Sequence, residues 1–292
     1  MIKNTNDGSN NKPSLRIDIN YGTCEDLPAF SVGPKGTDRE KHEAIVKAGF
    51  GGIQDGDPEL CKEFNLQLTA HARVNEVGDI NDVLPLWKAL NYNCATVHLG
   101  WGMESDDEMD TLVNYIKVSS INYDIPIYIE THRATITQDL FRTVELTKRF
   151  PEVRFNGDFS HWYTGQEMVY GGIENKWDFI QPVFDRVRFM HGRIGNPGCI
   201  QVDVANDENL SYVNHFKEMW KRSFLGFLKT AKPGDYICFT VELLKADIFY
   251  ARTISTKNEG DQEEGDRWQQ ALLYKKIVQQ CWEAANSEFN FK

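Results

Sequence analysis

Basic residues are in short supply. The 292-residue chain carries 32 Lys and Arg against 43 Asp and Glu, a formal charge of −11. An acidic excess of that size repels a phosphate backbone unless a local basic patch overrides it. The densest basic pairs, Lys221-Arg222 and Lys275-Lys276, read as solvated helix faces. No nucleic-acid partner is expected. Long apolar runs are also missing: no stretch of about 18 apolar residues occurs, and the polar opening MIKNTNDGSNNKPS has no signal-peptide core. A membrane partner is therefore not expected, and a cytoplasmic location is. The six cysteines, at 24, 61, 94, 199, 238 and 281, form no CxxC pair, which reads as reduced thiols rather than a disulfide framework. Nucleotide-binding glycine motifs are absent too, both GxGxxG after the first strand and GxxxxGK[ST] anywhere.

What is present is an alternation. A hydrophobic fraction of 41% with 12% aromatics supports a sizeable core. Short apolar runs read as eight strands: Leu15 to Gly22, Gly51 to Gly56, Leu66 to Val74, Cys94 to Gly100, Ile125 to His132, Val153 to His161, Arg186 to Ile194 and Asp235 to Leu243. Helical periodicity fills residues 38–49, 79–91, 106–120, 137–151, 209–234 (with a break) and 266–286. Eight strand–helix units predict an α/β fold, a single-domain (β/α)8 TIM barrel over residues 15–292, preceded by a flexible tail over 1–14. The acidic stretch Thr253 to Arg267 reads as a solvated loop.

Four of the strand runs carry a metal-ligand type near their C-terminal ends: Glu130, Asp158, His191 and Glu242. In a barrel these ends ring one mouth, so residues distant in sequence meet there. Parity agrees. Ile125, Ile127 and Ile129 share one face of strand five, which suits packing against helices, and this turns Tyr128, Glu130 and His132 inward. Tyr236, Cys238, Thr240 and Glu242 share the inward face of strand eight. Three converging carboxylates repel one another and lose solvation unless a cation joins them. Three oxygen donors and an imidazole suit one divalent ion, with Mn2+ foremost and Mg2+, Co2+ or Zn2+ as alternatives. His161 is placed to bind a substrate hydroxyl or support the metal; Arg193 to hold a substrate oxygen or steady a carboxylate. His98, His71 and Trp162 are further candidates for substrate contact, as are Trp101, Gln54 and Asp55.

The segments ETHR, GDFSHW, MHGRIG and TVEL, in this order on strands five to eight, resemble the xylose-isomerase-like barrel superfamily over roughly Leu15 to Ala285. That group includes sugar phosphate isomerases and epimerases, tagatose/psicose 3-epimerase-like enzymes, inosose dehydratases and endonuclease IV. For the epimerase-like members, the resemblance implies a metal on Glu130, Asp158, His191 and Glu242 and a substrate contact at His161. Their arginine lies several residues beyond the strand-seven histidine, whereas Arg193 follows His191 by two. For endonuclease IV-like members, His71 and His98 match extra metal-binding histidines, but the DxH pattern after strand seven is missing at Asp203.

These readings converge on a metal-dependent isomerase or epimerase of a small sugar or polyhydroxy carbonyl compound. It would work through a metal-stabilised enediolate, with Glu130 and Glu242 as the proton-transferring pair. A lyase that expels a β leaving group from a keto-inositol or 3-keto-glycoside is the alternative. A non-catalytic sugar-binding barrel is the outside one. Association into a dimer or tetramer is left open by analogy with such barrels.

Overall fold

A computed structural model of the chain describes residues 2–204, 209–256 and 260–290. Eight parallel strands close on themselves: β2 (Ser14–Asn20), β3 (Gly52–Gln54), β4 (Gln67–Val74), β5 (Cys94–Leu99), β6 (Ile127–Glu130), β7 (Phe155–Asn156), β8 (Val187–Gly192) and β9 (Asp235–Val241), with β9 pairing both β8 and β2. The sequence reading of a single (β/α)8 barrel holds. Around the strands lie α1 (Asp38–Lys47), α2 (Pro58–Glu63), α3 (Leu84–Ala89), α4 (Asp106–Tyr123), α5 (Leu140–Arg149), α6 (Phe159–Gly165), α7 (Trp177–Phe184), α8 (Ser211–Leu228) and α9 (Arg267–Asn290).

Alternation along each strand sorts its side chains into two layers. Ile53, Val97, Ile127, Ile129, Met190 and Val241 face the helices and join the large outer core. Cys94, Tyr128, Phe189, Tyr236 and Cys238 point inward and form a separate cluster that fills the barrel. The parity read from β6 and β9 is thus the parity observed. Local signals fix the helix starts. Thr37 with Glu40 and Ser105 with Glu108 are reciprocal capping boxes at α1 and α4.

Three expectations differ from the structure. Residues taken for a mobile tail include β1 (Thr5–Asn6), which pairs antiparallel with Tyr236 and Asp235 of β9, and Ile2 and Thr5 are buried. The stretch 209–234 has no break within α8, which runs unbroken to Leu228; Gly226 near its end lets it press against Phe184 and Asp185, where a Cβ would come within 2.6 Å of backbone atoms. The loop expected over 253–267 is a hairpin of β10 (Thr253–Thr256) and β11 (Gly260–Glu263). Its residues 257–259, and residues 205–208 of the stretch read for a DxH pattern, lie outside the described residues.

The lower, N-terminal end of the barrel carries a polar network that lines a recess of about 540 Å³. The Arg16 guanidinium donates to both Asp18 oxygens at 2.7–3.0 Å, to Asn93 Oδ1 at 2.7 Å and to Tyr236 OH at 3.0 Å. Ile2 joins the inner cluster, and Tyr128 OH donates to the Lys3 carbonyl. No helix among the described residues is long and apolar enough to cross a membrane.

Candidate metal centre at the C-terminal mouth

Glu130 is the last residue of β6, His191 lies in β8, and Glu242 directly follows β9. Asp158 stands two residues past β7 and caps α6, its Oδ1 accepting from Ser160 N at 3.1 Å. The four residues meet. His191 Nδ1 is 3.2 Å from Glu130 Oε2 and 3.4 Å from Glu242 Oε2. Glu130, Asp158 and His191 each offer a ligand atom within 4.8 Å of the others. Gln54 Oε1 accepts from His191 Nε2 at 2.7 Å, and Gln54 is itself held by Asn20 and Thr96. This hydrogen bond leaves Nδ1 turned toward the carboxylates, as in an imidazole that ligates a metal.

The charges in this cluster shift one another. Burial favours a neutral Glu130 carboxyl, but His98 and His191 more than offset it and hold Glu130 well below the usual carboxylate range. Burial raises Asp158 to about 6 despite Arg193. Burial also works against a charged His191, yet Glu242 and Glu130 lift it to about 9. In this arrangement His191 takes up a proton where the donor set calls for a cation.

Glu130 faces two ways. Its Oε2 meets His191 and the Asn156 amide, which donates at 2.9 Å; its Oε1 accepts from His98 Nε2 at 3.0 Å. On the His98 side runs a row of imidazoles, His71, His98, His132 and His161, with successive ring centroids 4.4, 4.1 and 3.9 Å apart. Burial and nearby imidazoles press His71 to about 4 and His132 to about 3, and hold His161 well below its ordinary value. Two more groups suited to a divalent ion arise here, His71/His98/Glu130 and Glu130/His132/His161. All three groups share Glu130.

A cleft of about 290 Å³ opens above these residues, lined among others by Asn20, Asp55, His71, His98, His161, Glu242 and Tyr250. His71, His98 and His161 thus stand where substrate contacts were expected. Two residues do not. Trp162 is fully buried in the outer core, its Nε1 donating to the Thr137 carbonyl at 2.7 Å, because residues 159–165 form α6 and not the end of a strand. Arg193 is 1% exposed and turned inward onto Asp158 and Glu242. Trp101 is half exposed at the rim, its ring 4.3 Å from the Arg73 guanidinium. Sequence reading missed Asn156, Asn20 and Tyr250. Asn156 shares the inward parity of Asp158 and was legible on that ground; Tyr250 lies in an irregular segment eight residues past Glu242, with no periodicity to point to it.

No family model matches the sequence, and no curated protein does. Solved structures do. A D-tagatose 3-epimerase-like protein is similar at 13% identity with a TM-score of 0.57, over 94% of this chain and 99% of its own. A xylose isomerase-like TIM barrel protein from Mycobacterium smegmatis, in complex with magnesium, is similar at 12% identity and TM-score 0.53, over 92% and 97%. A xylose isomerase-like TIM barrel/4-hydroxyphenylpyruvate dioxygenase fusion protein is similar at 14% identity and TM-score 0.55, over 95% of this chain and 44% of its own. At these identities what is shared is the fold: the chain has the architecture of the xylose-isomerase-like TIM barrels.

Proposed function

We propose that this chain is a divalent-metal-dependent isomerase or epimerase acting on a small sugar or other polyhydroxy carbonyl compound. The observation that carries the reading is the placement of two carboxylates, Glu130 and Glu242, each within 3.4 Å of the same His191 nitrogen and both lining one cleft. The residues fit a resident cation. Glu130, Asp158 and His191 would hold it with Glu242 beside them, and oxygen donors with one imidazole suit Mn2+ or Mg2+. When bound, the ion supplies Lewis-acid polarisation of substrate oxygens.

The chain's own groups supply the rest. Glu130 and Glu242 flank the position of a carbon next to a carbonyl. One removes its proton, leaving a planar enediolate, and the other, protonated at the outset, returns a proton to that carbon or, once a proton has passed between the two oxygens, to its neighbour. Return to the opposite face inverts the centre; return to the neighbouring carbon isomerises the sugar. His161 and His71, both pressed toward the neutral form and both lining the cleft, are the imidazoles placed to meet substrate hydroxyls. The cleft volume lies at the small end of the range of about 300–1,000 Å³ typical of ligand sites, which suits a compact polar substrate. The likeness to a D-tagatose 3-epimerase-like protein supports the same class.

The test is exchange of the proton beside the carbonyl with solvent deuterium, followed by NMR across a panel of ketoses and aldoses with Mn2+ present. Wild type is expected to incorporate deuterium and yield an epimer or isomer; Glu130→Gln and Glu242→Gln lose both. Full exchange and turnover retained in both variants would refute the assignment of the bases. Release of water or an aglycone from an oxidised sugar would move the reaction to the lyases.

A further inference from the structure

The acidic side of the centre contains a cation of its own. Arg193 lies two residues beyond His191, so both side chains point into the barrel mouth. Its Nη1 donates to Asp158 Oδ2 at 2.8 Å, its Nη2 to Glu242 Oε2, and its Nε to the Glu242 carbonyl at 3.2 Å. Nη1 also approaches Ser160 Oγ at 3.3 Å. The Tyr250 ring covers the guanidinium, 4.5 Å from centroid to carbon. Every nitrogen has a partner inside the protein and the side chain is 1% exposed, so the expected contact with a substrate oxygen is not open to it as it stands. The two carboxylates that Arg193 ties together follow β7 and β9, the strands on either side of β8, which Arg193 itself follows.

We infer that Arg193 is a resident counter-cation that sets the affinity and charge selectivity of the centre for its metal ion. The inference rests on the metal reading above and adds a residue to it. Glu130, Asp158 and Glu242 bring three negative charges; the guanidinium leaves two, which one divalent ion with a neutral His191 balances. Fully buried charges left unbalanced are costly, so this matching decides which ion the site holds. The same guanidinium keeps Asp158 and Glu242 in position before an ion arrives. It also repels the arriving ion across a few ångströms of poorly screened interior. Removal of Arg193 should therefore destabilise the metal-free protein and tighten its grip on cations, more so for a triple charge than for a double one.

The experiment uses the full-length protein stripped of metal, with Arg193→Met to remove the charge at similar length and Arg193→Lys to keep it without the fork that spans two carboxylates. Mn2+ binding is measured calorimetrically, Tb3+ binding by luminescence, and thermal midpoints with and without Mn2+. The Met variant is expected to melt several degrees lower when metal-free, to recover with Mn2+, to bind Mn2+ at least tenfold more tightly, and to gain still more for Tb3+. The Lys variant should fall between. Mn2+ binding in the Met variant that is unchanged or weaker, while wild type binds, overturns this inference alone. No binding of either ion by wild type or variant overturns the metal reading, and this inference with it. Should the Met variant not fold, Arg193→Met combined with Glu242→Gln restores the net charge. Recovery of the fold agrees with the inference, and continued failure overturns it.

Discussion

The two ends of this barrel each bury an arginine against carboxylates, and they do so to different effect. At the N-terminal end Arg16 meets one acid, Asp18, and its remaining donors go to Asn93 and Tyr236. The charges of that pair cancel, every nitrogen of the guanidinium has a protein partner, and the pair brings no surplus of charge to the polar recess of about 540 Å³ beside β1 that Arg16 lines. At the C-terminal end Arg193 meets two acids, a third stands beside them at Glu130, and the assembly opens into a cleft. The lower end is a finished structural tie. The upper end is short of positive charge, and that deficit is what a metal ion would make good. Burial of charge by itself is therefore no mark of function; an imbalance that faces a cleft is.

The comparison can be broken most decisively by kinetics. Glu242→Gln is expected to reduce solvent-deuterium exchange by about 10² to 10⁴-fold with little loss of metal-free stability, since it relieves repulsion among like charges. Asp18→Asn at the other end should do the reverse: a loss of about 3–5 kcal/mol in urea unfolding, the usual result of orphaning one partner of a buried pair, with Mn2+ binding by the folded protein unchanged. Replacement of both Arg16 and Asp18 by apolar residues of similar volume should recover most of that loss. If Asp18→Asn weakens Mn2+ binding tenfold, the ends are not independent. A smaller effect is expected from deleting residues 1–6, about 2 kcal/mol for the exposure of the Ile2 site and loss of the β1 ladder, again measured in urea and again without change in Mn2+ affinity.

The smallest effect is a pH dependence. The folded protein lifts His191 to about 9, above the ordinary value near 6.5. Stability drawn from its protonation is therefore complete below about pH 6.5 and is lost as pH rises through 9. Metal-free wild type should lose a few degrees of thermal midpoint between pH 7 and 9.5, His191→Gln should show a flatter profile, and saturating Mn2+ should flatten the wild-type profile because a metal displaces the proton. A wild-type slope no steeper than that of the variant would remove His191 from the account.

Much of this was legible before the structure. The eight strands were, because parallel strands buried on both faces read as apolar runs, and so was the convergence of Glu130, Asp158, His191 and Glu242, because alternation fixes which residues face inward. Shorter elements were not. α2 has six residues and α7 has eight with Pro182 inside, too few turns for a periodic stripe to register. β7 has two residues, so reading a strand through to His161 placed Trp162 at the mouth; the Asp-Phe-Ser pattern that caps α6 was the available warning. The orientation of Arg193 was open to two readings, because spacing puts a side chain on a face without telling which partner it takes there. The row of four imidazoles draws on two strands, the loop after β6 and α6, and sequence separation conceals such neighbours.

The packed interior has a consequence for traffic. With Tyr128, Phe189 and Tyr236 filling the barrel and Ile2 beneath them, no passage through its axis is left among the described residues, so on the proposed reading ion, reactant and product would share the cleft. A product still seated there would bar the next reactant, and inhibition by product is expected to be competitive with substrate. A chelator must queue at the same threshold, and a tightly held substrate analogue will delay its extraction of the ion.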